Sequence, residues 1–100
     1  MRAVILCLAL AGCATLQTTQ GLALCAATDV ATTVGGVHAG LIKEANPIWA
    51  HSVNAGHYAP FVLAVIGMVL FLDWLDRPEV TGVVAGVECA FGAHNLWLMR

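Results

Sequence analysis

One hundred residues allow a single domain, and 60% of them are hydrophobic against 10% charged, where a soluble domain carries roughly 45–50% and 25%. That balance excludes a soluble globule with an ordinary charged surface and points to the membrane class. A formal charge of −2, with no Lys or Arg cluster, excludes nucleic acid as a partner.

Arg2 precedes an apolar run from Ala3 to Ala11, too short to span a bilayer but the length of a signal-peptide core. The run ends Leu10-Ala11-Gly12-Cys13, which resembles a bacterial lipoprotein lipobox. The resemblance implies cleavage before Cys13 and a diacylglyceryl group on its thiol. Residues 1–12 are then a signal peptide, and residues 13–21 a polar tether on the outer face.

Three apolar stretches follow. Leu22 to Ile42 gives about 21 residues or ~30 Å of helix, the thickness of a hydrocarbon core. Tyr58 to Trp74 is a cleaner run, with Pro60 at its start and Trp74 suited to an interface. Val80 to Leu98 supplies a third span. Between the first two, Asn46-Pro47 reads as an N-cap with proline in the first helical position. It starts a short interfacial helix over 47–53 that Trp49 anchors and Asn54-Ala55-Gly56 closes. The fold class expected over residues 22–98 is therefore all-α: a small transmembrane bundle of three spans plus one interfacial helix. The basic residues place Lys43 and Arg100 inside and the loop of Asp73, Asp76, Arg77 and Glu79 outside. This matches a mature N-terminus outside a bacterial inner membrane.

The polar residues inside these spans are not scattered. Cys25, Asp29, Thr32, Thr33, Gly36 and Gly40 share one helical face, and Gly36 and Gly40 form a GxxxG that admits a close neighbour. In the third span Glu88, Gly92 and Asn95 share a face, while Gly82 and Gly86 form a second GxxxG. The first and third of three spans run parallel, so depth can be compared by counting from their outer ends. Asp29 falls ~10 Å deep and Glu88 ~12 Å deep at 1.5 Å per residue. A charge facing lipid costs about 2.5–3.5 kcal/mol at mid-span, so the carboxylates should turn inward and meet. The pair, with Thr32, Thr33 and Asn95, reads as a hydrogen-bonded cluster clamping the helices; the sharper reading is a proton or cation site.

Asp29-x-x-Thr32-Thr33, followed by Glu44-x-Asn46-Pro47, resembles a family of small, uncharacterised three-helix membrane proteins of bacteria and phages. Asp29, Thr32, Thr33, Gly40, Glu44, Asn46, Pro47 and Asn95 occupy its characteristic places, over about residues 22 to 98. The resemblance implies the fold and the membrane location, and it supplies no reaction.

Other chemistries lack their residues. Cys7, Cys13, Cys25 and Cys89 show no CxxC or zinc-like spacing and at least three lie in apolar stretches, which argues against a disulfide framework. His38, His51, His57 and His94 fall toward the inner side without metal-ligand spacing. The chain's one serine, Ser52, has no triad setting. No cofactor, metal or enzymatic activity is expected. The partners expected are the lipid bilayer and a second copy or another membrane protein. The function expected is structural or accessory, through helix–helix contacts. The alternatives are a phage-type lysis factor, holin-like or spanin-like, and an intramembrane proton or cation site at Asp29 and Glu88.

Overall fold

A computed structural model describes Arg2 and residues 15–100. Among them every regular element is helical: α1 (Thr19–His38), α2 (Ala50–Asn54), α3 (Ala59–Leu75) and α4 (Pro78–Met99). The signal peptide and Cys13 lie outside the described residues.

Each helix starts and stops for a local reason. Thr18, in extended backbone, accepts from the Gly21 amide at 3.0 Å and so caps α1, as short hydroxyl side chains do. Gly40 ends it. At φ +74° it lets the Gly40 and Leu41 amides turn back onto the carbonyls of Val37 and Gly36. That pattern is a Schellman close with glycine in the left-handed position. Pro60 and Pro78 stand in the first turns of α3 and α4, where a missing N–H is harmless. Asp76, at φ 53°, closes α3. Thr19 then ties the start of α1 to the end of α3 by donating to Asp73 at 2.8 Å.

In the stretch expected as a tether, the Thr18 amide bonds back to Thr15, Leu16 packs on the core, and Thr19 to Gly21 belong to α1. One expectation needs correction. The three long helices occupy the expected stretches, yet among the described residues no helix is both long and apolar enough to cross a membrane. The reason is a division of properties. α3 is apolar but has 17 residues, only ~25 Å at 1.5 Å each. α1 and α4 are longer, at 20 and 22 residues, but carry Asp29 and Glu88. With α2, the helices among the described residues number four.

α1 packs chiefly against α4. The seam is made of small and polar side chains: Cys25, Ala26, Asp29 and Thr33 on one side, and Thr81, Ala85, Glu88 and Gly92 on the other, all buried. Only Phe61 and Leu72 of α3 are buried. Contacts across the seam keep a constant difference in residue number rather than a constant sum, so α1 and α4 run parallel. Gly92 is the point of closest approach, since a Cβ there would stand 2.8 Å from Thr28 Cγ2 and 3.4 Å from the Asp29 amide nitrogen.

A disulfide joins Cys25 to Cys89 across this seam, with Cα atoms 4.5 Å apart. It overturns the expectation drawn from cysteine spacing. Apolar surroundings are what two thiols on packed helix faces have whether or not they are joined, so that cue could not separate the cases.

The glycine pairs also behave differently from a packing stripe. Gly40 lies beyond the helix end in its turn, and a Cβ at Gly40 or Gly86 would meet nothing within 4 Å. Gly36 and Gly82 are the crowded members. A Cβ on Gly36 would press on Ile42 and Met99, and one on Gly82 would stand 2.9 Å from Gln17.

Candidate functional site

The polar residues singled out by helical spacing gather in one place. Asn95 of α4 donates to the hydroxyls of Thr32 and Thr33 on α1, at 3.1 and 2.9 Å. Thr33 passes its own proton to Asp29 Oδ1 at 3.2 Å, so amide, hydroxyl and carboxyl form a directed chain. Thr32 instead donates to the carbonyl of Thr28 at 2.7 Å, a bond back to its own helix. Glu88 of α4 lines the same cavity wall as Asp29. Both are almost wholly covered, at 7% exposure for Asp29 and 8% for Glu88. Glu88 Oε2 is buried with no hydrogen-bond partner, an arrangement that buried polar atoms rarely keep.

These groups are not sealed in a solid core. Asp29, Thr33, Glu88 and Asn95 line a cavity of about 630 Å³ between the helices. Phe61, Met68 and Phe91 supply its apolar sides, and Lys43, Glu44, Asn46 and Trp49 of the segment after α1 stand at the other end. His94 also lines it, with its ring stacked 6.4 Å from Trp97, over which Arg100 sits.

The segment at the far end is held by the second half of the singled-out pattern. The side chain of Asn54 makes two bonds to the backbone of Glu44, accepting from its N–H at 2.8 Å and donating to its carbonyl at 3.1 Å. Glu44 in turn accepts from the Asn46 amide at 2.8 Å. Asn46 accepts from the Ile48 amide at 3.0 Å, with Pro47 between them. Pro47 opens a turn that runs into α2, so the helix proper begins at Ala50 rather than at 47. Trp49 does not stand free as an anchor; it packs edge-on to Phe61 at 5.7 Å. Asn54 escaped the sequence reading, where it counted only as the end of a short helix. Its two bonds need a folded partner ten residues back, which no local pattern announces.

Among the described residues no group of three His, Cys, Asp or Glu side chains could hold a metal ion. His38, His51 and His57 are exposed and separate from the cavity wall. The chain matches no protein-family model, no curated protein and no solved structure.

Proposed function

We propose that this chain is a small integral protein of the bacterial inner membrane that acts through helix–helix contacts, with its mature N-terminus outside and Cys13 as the lipid-bearing residue. One observation carries the reading: the polarity of the bundle is reversed. Asp29, Thr33, Thr81 and Glu88 are buried, while Leu63, Leu70, Phe71, Trp74, Val83 and Trp97 face outward. In water such a continuous apolar surface is a liability of the kind that marks an interaction face. Against lipid it is the ordinary arrangement, because carboxyls turn inward and aliphatic side chains meet acyl tails.

The carboxyls that keep α1 and α4 from being apolar on their own face each other, so the bundle is the unit that lipid meets. The short α3 fits a locally thinned bilayer. Trp74, at 77% exposure, stands at the outer end of α3, where an indole suits the headgroup region. The Cys25–Cys89 bond agrees with an oxidising compartment on the side where α1 and α4 begin. Gly86, open and unopposed, is the place where a second helix can approach closely.

Alkaline carbonate extraction of expressing bacteria, followed by intact mass of the membrane fraction, tests the reading. The protein should stay with the pellet and carry the mass of a chain beginning at acylated Cys13. Release into the supernatant ends the proposal; an unprocessed mass in the pellet removes only the lipid.

A further inference from the structure

We propose that the cavity between α1, α3 and α4 is a binding site for a monovalent organic ammonium with an apolar body, and that Glu88 is its anchoring carboxylate. Three observations converge on this ligand class. Glu88, more than nine-tenths covered, lines the cavity, and its Oε2 is an acceptor without a donor that a turn of the side chain brings to the cavity. An ammonium N–H supplies both the missing donor and the opposite charge, and charge-assisted bonds of this kind are the strong ones. The second observation is size. About 630 Å³ lies in the range of roughly 300–1,000 Å³ that holds small organic ligands, and a bare inorganic ion would leave nearly all of it unfilled.

The third is the character of the walls. Phe61, Phe91 and Met68 line the same cavity, which supplies apolar contact to a cation's body and aromatic surface to its charge. A divalent metal is disfavoured by the donor set, since only two carboxyls meet there and no third ligating side chain joins them among the described residues. Thr33 donates to Asp29, and Asn95 donates to Thr32 and Thr33, which leaves Glu88 Oε2 as the acceptor without a donor. The cavity is the same whether the outer faces of the bundle meet lipid or protein, so the site stands apart from the membrane assignment.

Isothermal titration of the full chain in dodecylmaltoside, whose headgroup carries no cation, tests this with phenethylammonium chloride. The neutral isostere 3-phenyl-1-propanol and sodium chloride alone serve as comparisons. The expected result is saturable binding of one phenethylammonium per chain, at least tenfold tighter than the alcohol and not displaced by a hundredfold excess of sodium. Glu88→Gln should weaken it at least tenfold while helicity and the Cys25–Cys89 bond are retained. Ala64→Trp, which adds bulk to the cavity lining from α3 and leaves both carboxyls in place, should abolish it, and it decides the matter if Glu88→Gln fails to fold. Equal binding of the alcohol, absence of saturation, displacement by sodium, or unchanged affinity in Ala64→Trp overturns the proposal.

Discussion

Cys25 on α1 and Cys89 on α4 are joined across a sequence separation of 64, and the bonds from Asn95 to Thr32 and Thr33 repeat that separation at 63 and 62. One parallel register therefore holds the whole seam, and the disulfide pins it near one end while the amide pins it lower down. Replacing Cys25 by Ala should lower stability by about 2–4 kcal/mol, the usual worth of a bridge closing a long loop. Thermal unfolding followed by circular dichroism, in one detergent with and without reductant, measures it. Reductant should shift the wild type and leave Cys25→Ala unmoved.

Asn95 ties α4 to α1 by side-chain hydrogen bonds. Asn95→Ala leaves both threonine hydroxyls with their own acceptors but removes their donor, at a cost of about 1–2 kcal/mol for a partly buried pair. Asn95→Asp should be worse, because it faces a third carboxyl toward Asp29 and Glu88. An order Asn95→Asp below Asn95→Ala below wild type in melting temperature is expected; equal melting of the two variants contradicts it.

Gly92 and Gly86 separate packing from propensity on one helix. Gly92→Ala drives a Cβ toward Thr28 and the Asp29 backbone and should destabilise by about 1–3 kcal/mol, as overpacking does. Gly86→Ala meets nothing and should stabilise the monomer by up to about 1 kcal/mol through helix propensity alone. Gly86→Leu then reports on partners. Loss of oligomers on blue-native electrophoresis, with an unchanged melting point, is the expected outcome if another helix docks there.

The clamp between Asn54 and Glu44 gives a local prediction. Asn54→Ala should release residues 41–49 without melting the three long helices, and hydrogen exchange should rise in that segment and not in α4. Each lost bond is worth about 0.5–1.5 kcal/mol. Gly40→Ala, at a left-handed φ, should loosen the same segment by about 1 kcal/mol.

The sequence made some of this readable and hid the rest. Proline at 60 and 78, a threonine cap and Asn46-Pro47 mark element starts through local stereochemistry, and those starts need no tertiary information. That Asp29 and Glu88 share a neighbourhood follows from parallel helices and rise per residue. The exact level does not: the true register sets Asp29 beside Gly92 and Glu88 near Cys25, a slide of about five residues or ~7.5 Å from the counted pairing. Depth counted from helix ends ignores how far two helices slide to bring Gly92 against Thr28. The same slide is what brings the two cysteines level, so spacing along the chain could not show their bond. Gly40 was read as a packing residue because the apolar pattern runs on through Leu41 and Ile42, although a glycine there is equally a helix stop.

Because Cys25 and Cys89 are linked, everything between them forms a closed covalent ring from which both chain ends project as tails. α2 and α3 belong to the ring alone, and α3 makes little contact with α4. A single protease cut anywhere in the ring would therefore release no fragment until the bridge is reduced.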